Sequence, residues 1–231
     1  RQRQMCIRDR SGDLKKLADL IGSDPDALAR AIAAPVDVDR QAVYPVKSFG
    51  AGMTPMYTAL ALWVGALLTA VSVRTDVVDK DKYSPMQRFF GRFGMFAAVG
   101  LMQSTMLILG LIFFVGIEPT HPILMLLAGW VSSLIFMLIC YTFVVSFANA
   151  GKALAVLMLV IQVSSSGGAY PLQVLPDWFQ NISPWLPATY TIRAFRAAIA
   201  GTYHGDYWLS LFALLLFAVP MLILGVVFHK P

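Results

Sequence analysis

Few side chains of this sequence have the type and spacing that catalysis requires. The run 164–168 (SSSGG) combines hydroxyl groups with glycines, but it lacks the Lys-Ser/Thr ending of a phosphate-binding P-loop. His121, His204 and His229 have no other metal-ligating side chain at a suitable spacing. The sequence therefore predicts that the chain is neither an enzyme nor an ATPase, and it indicates no metal site and no cofactor.

Charged side chains are concentrated in residues 74–92, a loop with the sequence RTDVVDKDKYSPMQRFFGR. Ser84 can cap a helix that has Pro85 in its first turn, so the end of the loop predicts an amphipathic helical start. Such a segment either docks into a groove on another protein or is a solvated loop, and the residue pattern leaves both open. The candidate contact residues are Arg74, Asp76, Asp79, Lys80, Asp81, Lys82 and Arg88.

Residues 167–206 form a second candidate site, because prolines and aromatic side chains are dense there. Prolines at this density exclude one long helix, and the aromatic side chains suit a membrane–water interface. We expect two short helices, at about 177–182 and 188–200, that fold back against the outer ends of longer helices, with Gly167 and Gly168 as the hinge. The remaining candidates are Pro171, Pro176, Trp178, Phe179, Pro184, Pro187, Tyr190, Arg193, Phe195 and Arg196.

The second of these short helices has an apolar side. Ile192, Phe195 and Ile199 recur at helical spacing, and Arg193 and Arg196 fall beside them. We therefore expect the apolar stripe to be buried in membrane or protein, while both guanidinium groups reach water or lipid phosphate.

The composition indicates which elements position these residues. Of the 231 residues, 58% are hydrophobic and 13% are charged, and the mean hydropathy is +0.67, whereas soluble domains are about 25% charged. This predicts a polytopic protein whose main partner is the lipid bilayer, and it argues against nucleic-acid binding. The first ten residues, RQRQMCIRDR, resemble a translated sequencing-adapter artefact, and without them the net charge falls from +5 to +2.

Long apolar runs predict five membrane-spanning helices, since a span needs about 20 predominantly apolar residues. Residues 11–47 carry short polar helices and an extended segment, which predict the end of an extracellular α/β domain. Residues 48–231 predict an all-α integral membrane domain with an external, two-helix re-entrant segment between the last two spans. The predicted spans are 53–73, 93–117, 122–149, 153–168 and 207–228.

Polar but uncharged side chains lie within these spans. They either hold neighbouring helices together by hydrogen bonds or form a polar strip along a substrate route. No ionisable side chain lies deep in a span, which argues against a proton-coupled pump or an ion channel. The polar residues are Gln103, Ser104, Thr105, Ser132, Ser133 and Gln162.

The Lys and Arg residues of the loops predict the orientation in a bacterial cell membrane. Seven lie in loop 74–92, at Lys152 and in the C-terminal tail, against two on the opposite side in 167–206. We therefore expect loop 74–92 and the C-terminus to be cytoplasmic and residues 11–47 to be outside. An external N-terminal piece requires an earlier span, which we expect in a longer protein.

Two stretches of the chain resemble the YhgE/Pip (phage infection protein) family, a branch of the type-2 ABC exporter membrane domains. They are YPVKSFGAGMTPMYTALALWVGALL at 44–68 and SSSGGAYPLQVLPDWFQNISPWLPATYTIRAFRAAIAG at 164–201. The similarity covers about residues 35–230.

This resemblance implies the permease half of an exporter, with a separate ATP-binding subunit and pairing of two membrane halves as a homodimer or heterodimer. It also implies that loop 74–92 is the coupling segment that contacts the ATPase, and that the two short helices form an external re-entrant gate. Some family members look like phage receptors or accessories of secretion systems. A surface receptor or secretion scaffold that transports nothing is therefore the alternative.

Overall fold

The computed structural model describes residues 49–73, 84–168, 172–202 and 204–227. Within these residues the chain forms helices and turns and no β-strand, in agreement with the predicted all-α membrane domain. The predicted α/β remnant at 11–47 lies outside them. The helices are α1 (Phe49–Ser72), α2 (Pro85–Phe113), α3 (Pro122–Phe147), α4 (Asn149–Ser165), α5 (Asp177–Ile182), α6 (Pro187–Ala200), α7 (Asp206–Leu216) and α8 (Ala218–Val227).

Four helical segments in the described ranges are long and apolar enough to cross a membrane. They are α1, α2 from Met86, α3, and the stretch Asp206–Val226 that joins α7 to α8. Helix α4 has 17 residues, which extend about 26 Å at 1.5 Å per residue and fall short of a hydrocarbon core of about 30 Å. The predicted fourth span, 153–168, is therefore not confirmed.

Helix α2 begins where its capping residues place it. Ser84 Oγ accepts a hydrogen bond from the Gln87 backbone N–H at 3.3 Å, and Gln87 Oε1 accepts one from the Ser84 N–H at 3.1 Å. This reciprocal capping box, with proline in the first turn, confirms the predicted helix start. The helix ends at Phe113, before the predicted residue 117, and Gly116 then takes a positive φ of 72°.

The predicted spans 122–149 and 153–168 leave a short loop around Lys152, and this prediction is wrong. The chain turns at Ala148, whose φ of 50° and ψ of −120° separate α3 from α4, and Lys152 lies in the first turn of α4. The turn brings Gly151 against the Phe143 carbonyl so closely that a Cβ at this position would overlap it. The turn results from the unusual backbone conformation of Ala148. The charged residue Lys152 does not mark its position.

The last predicted span, 207–228, is interrupted at Phe217, between α7 and α8. Pro220 explains the interruption, because proline has no N–H and its ring clashes with the carbonyl four residues earlier. That carbonyl belongs to Leu216, the last residue of α7.

Helix α3 is the centre of the bundle. It packs against α1, α2, α4, α6, α7 and α8. Its most apolar stretch is 61% buried, against 22% for α2 and for the α7–α8 segment, so these two lie at the periphery. Aromatic contacts join α3 to its neighbours: the ring centroids are 5.0 Å apart for Trp63 and Phe136, and 4.8 Å apart for Phe96 and Tyr141.

Several of the polar residues within the spans bond neighbouring helices. Gln103 Nε2 donates to the Ala61 carbonyl of α1 at 3.2 Å, and Ser133 Oγ donates to the Gly100 carbonyl of α2 at 2.8 Å. Trp130 Nε1 donates to Thr105 Oγ1 at 2.8 Å. These bonds fit the interpretation of polar side chains that hold helices together.

Candidate functional site between α4 and α7

Prolines organise the segment between α4 and α7 into short helices. Pro176 is the N-cap residue of α5, which spans the predicted residues 177–182. Pro184 lies in the single turn Ser183–Trp185, and Pro187 is the first residue of α6, one residue before the predicted start. Proline suits these positions because the first turn of a helix leaves its N–H groups unpaired in any case. Pro171 lies outside the described residues.

More of helix α6 is buried in the bundle than the three residues of the predicted apolar stripe. Ten of its 14 residues are buried, including Ile192, Phe195 and Ile199 of the predicted stripe. Arg193 is exposed and Arg196 is half-buried. The helix packs against α1, α3 and α7, so α6 is an internal element of the bundle rather than a helix that lies on its surface.

The C-terminal end of α6 is hydrogen-bonded to the loop between α2 and α3. The Thr120 N–H and hydroxyl both donate to the Ile199 carbonyl, at 3.0 and 2.9 Å, and the His121 N–H donates to the Ala198 carbonyl at 3.0 Å. The last carbonyls of a helix have no partner within the helix. This loop therefore supplies the α6 terminus with partners and fixes its position.

The predicted glycine hinge lies against α1 and α6. Gly167 has a positive φ of 68°, which glycine adopts without strain. Its carbonyl accepts a hydrogen bond from Arg196 Nη2 at 3.4 Å. A Cβ at Gly168 would lie 2.8 Å from Met56 Cβ and 3.0 Å from Ile192 Cδ1. Only a residue without a side chain allows this close approach.

The N-terminal end of α6 reaches the middle of the α7–α8 segment. The Tyr190 ring lies 5.9 Å from the Phe217 ring, at the interruption between α7 and α8. Tyr207, near the start of α7, donates from its hydroxyl to the Leu124 carbonyl at 2.7 Å. The C-terminal end of α6 meets the α2–α3 loop, close to Leu124 and therefore to the start of α7. The N-terminal part of α6 meets the end of α7, so the two helices run antiparallel.

The aromatic candidates divide into an exposed and a buried group. Trp178 is 56% exposed and Trp185 is 78% exposed, while Phe195 is completely buried. The Trp178 ring contacts the Phe179 ring edge-to-face at 4.9 Å. The Arg193 guanidinium lies 5.8 Å from the centroid of the Tyr190 ring. An indole group exposed beside apolar helices suits a membrane–water interface.

The predicted contact loop is described only at its end. Arg88 lies in the first turns of α2 and is half-buried, next to Phe89, whose carbonyl accepts a hydrogen bond from the Tyr141 hydroxyl at 3.3 Å. The other candidates lie outside the described residues; they are Arg74, Asp76, Asp79, Lys80, Asp81 and Lys82.

Sequence reasoning missed the partners that hold α6 in place. The predicted spans leave Thr120 and His121 in the connection between 93–117 and 122–149 and place Met56 within 53–73, yet all three contact α6 or its hinge. No local pattern marks them, because each contact joins residues that are far apart in the chain. In the described ranges, no group of three or more His, Cys, Asp or Glu side chains is placed to hold a metal ion.

Comparisons with known proteins identify a family and a relative of this chain. The chain matches the model of a family described as ABC-2 family transporter protein over residues 13–227. It is 30% identical over 196 residues to the uncharacterized protein YhgE of Bacillus subtilis (strain 168). The alignment covers 85% of this chain but 25% of that relative, so the chain spans about a quarter of the relative's length. No solved structure is significantly similar to the chain.

The family match and the long apolar helices identify a multi-pass membrane protein of a transporter family. The similarity to YhgE confirms the resemblance expected from the motifs at 44–68 and 164–201. Because the family model covers nearly the whole chain, this protein belongs to the ABC-2 family of transporter proteins.

Proposed function

We propose that the chain is the membrane-spanning permease part of an ATP-driven exporter, in which α6 forms an external gate. Membership of the ABC-2 transporter family supports the transport role. The sequence carries no P-loop motif, so a separate subunit would hydrolyse ATP. Two membrane halves, identical or different, would pair around the transport path.

One observation carries the assignment of α6 as the gate: a helix too short to span a membrane is enclosed by spanning helices. Its 14 residues extend about 21 Å. Glycines lie on both sides of it, Gly167 and Gly168 before and Gly201 and Gly205 after, and three of these four have positive φ values. A rigid helix between permissive joints can move as a unit when its neighbours rearrange.

The same proposal assigns the orientation and the coupling contact. Loop 74–92 and the C-terminus would face the cytoplasm, where the loop would rest on the ATPase subunit, and α6 would face the outside. The excess of Lys and Arg in loop 74–92 supports this orientation. A longer protein would supply the first span and most of an extracellular domain.

A pull-down tests the ATPase partner. The full-length protein is purified in mild detergent with loop 74–92 intact, and in parallel with Asp79, Lys80, Asp81 and Lys82 replaced by Asn or Gln. We expect the intact form to retain an ATP-binding subunit and the neutralised form to retain less. If neither form ever recovers such a subunit, the exporter assignment fails and the receptor or scaffold function is favoured.

A disulfide tests the gate in the purified complex. Met56 of α1 and Ile192 of α6 belong to one buried cluster, so Met56→Cys with Ile192→Cys, in a background without Cys6 and Cys140, would fix α6 to α1. We expect oxidation to lower ATP hydrolysis by the complex and reduction to restore it. The matched pair is Gly100→Cys with Ser133→Cys, which links α2 to α3 and leaves α6 unlinked. Equal inhibition by both pairs would contradict a specific role of α6.

A further inference from the structure

Five buried polar side chains of α1, α3, α4 and α6 carry an atom that has no hydrogen-bond partner within the described residues. Each of these side chains is at most 2% exposed. An unpaired polar atom in such an environment carries a penalty of about 1–3 kcal/mol, so native structures rarely leave several together. The atoms are Thr58 Oγ1, Ser132 Oγ, Gln162 Nε2, Ser165 Oγ and Thr191 Oγ1; two half-buried side chains, Arg88 of α2 and Ser146 of α3, also carry one unpaired atom each.

Other hydroxyl groups of the same bundle are paired, which makes these exceptions specific. Thr54, Thr69 and Thr105 donate to the carbonyl four residues earlier in their own helices, at 2.7 to 2.8 Å. Ser133 and Thr189 are as deeply buried as their unpaired neighbours Ser132 and Thr191, yet both have partners. Helical threonine and serine commonly satisfy themselves in this way.

The four helices that carry the unpaired atoms meet one another. Every pair among α1, α3, α4 and α6 is in contact. Ile192 of α6 packs with Met56 and Ala59 of α1, and Gly168, just after α4, lies against the same Met56 and Ile192 side chains. Trp63 of α1 donates to the Ala155 carbonyl of α4 at 3.2 Å. These contacts define one four-helix junction.

The unpaired residues all lie close to the contacts that define this junction. Thr58 is next to Ala59 in the chain, and Thr191 is next to Ile192. Ser132 is about one turn from Gly129, where the tip of the Phe195 ring approaches α3. Gln162 and Ser165 lie within about two turns before Gly168. The five residues therefore lie on segments of α1, α3, α4 and α6 that take part in these contacts.

We propose that the four-helix junction is a hydration site that binds ordered water between α6 and helices α1, α3 and α4. Hydroxyl and amide groups are neutral donors and acceptors, and buried water typically makes about three hydrogen bonds to such otherwise unpaired groups. None of the five residues is ionisable, so the site offers no charge to compensate a metal ion. Water would also exchange partners when α6 shifts, whereas direct bonds between side chains would have to break. The site would exist whether or not the chain transports a substrate.

Water-edited NMR of the protein in lipid nanodiscs, with labelled threonine methyl groups, tests the site directly. We expect magnetisation to pass from water to the methyl groups of Thr58 and Thr191 several-fold faster than to that of Thr189. Thr189 is the matched reference, because it lies on the same helix and is equally buried but donates to the Ser183 carbonyl. Transfer to Thr191 no faster than to Thr189 would show that the junction is dry and would overturn the proposal.

Isosteric substitutions give a second, independent readout in thermal unfolding. If water is bound, Thr191→Val and Ser132→Ala lower the unfolding midpoint, and Thr58→Val combined with Thr191→Val lowers it by less than the sum of the two single shifts. If the junction is dry, removal of an unpaired hydroxyl raises the midpoint instead, and the proposal fails. The matched variants Thr189→Val and Ser133→Ala lose a direct hydrogen bond and lower the midpoint in either case. Midpoints that depend on whether sodium or potassium is present would indicate a bound cation and overturn the assignment of neutral water.

Discussion

Phe195 provides the sharpest test of how α6 is packed. Its side chain is completely buried. At the tip of its ring, α3 offers Gly129, where an added Cβ would lie 3.8 Å from Phe195 Cζ and would overlap the end of Ile108. Phe195→Ala would thus open a cavity among α2, α3 and α6 that these helices cannot close without moving.

The magnitude follows from that geometry. Replacing a fully buried phenylalanine by alanine destabilises a core by about 3–5 kcal/mol. For a chain of this size, 1 kcal/mol shifts the unfolding midpoint by about 2–4 °C, so we expect Phe195→Ala to lower it by about 6–20 °C. Arg193→Gln on the same helix is the matched control. Arg193 is exposed and lies 5.8 Å from the Tyr190 ring, a contact worth about 0.5–1 kcal/mol, which corresponds to about 1–4 °C.

The assay is thermal unfolding of the detergent-solubilised protein, followed by size-exclusion chromatography of the fraction that stays folded. A separate variant, Phe195→Asp, should reduce the yield of folded protein, since it buries an unpaired charge. Equal midpoints for Phe195→Ala and Arg193→Gln would refute the internal position of α6.

Three further predictions concern other contacts. Gly168→Ala should destabilise the protein by about 1–3 kcal/mol, because the added Cβ meets Met56 Cβ and Ile192 Cδ1. Gly52→Ala is the control: nothing lies within 4 Å of its added Cβ, so the unfolding midpoint should stay unchanged or rise. Ser84→Ala should lose about 0.5–2 kcal/mol through the capping box of α2, and Ser84→Asp should retain most of it; equal loss in the two variants would argue against the cap. For the orientation, a single cysteine from Asn181→Cys should react with an impermeant maleimide added outside cells and one from Lys80→Cys only after permeabilisation, and reversed labelling would contradict the proposed topology.

The sequence alone determined where the long helices lie and which family the chain belongs to. Charge-free runs such as 48–73 leave no alternative to an apolar helix, since a polar backbone in lipid must satisfy its own hydrogen bonds. Local signals also fixed the start of α2 at the Ser84 cap and the starts of α5 and α6 at prolines. The candidate segment at 167–206 could be located for the same reason, since proline acts on the residues next to it.

Only the tertiary structure decided which helix faces which. In a soluble helix, the contrast between polar and apolar sides reveals the buried face, but lipid and protein interior are both apolar, so this contrast is weak in a spanning helix. The central position of α3, the enclosure of α6 and the turn at Ala148 were therefore not predictable from local pattern. The lack of a hydrogen-bond partner for the hydroxyls of Thr58 and Thr191 is likewise not predictable from local pattern. The sequence around a threonine does not show whether its hydroxyl bonds back to its own helix or faces a junction, because that depends on residues far away in the chain.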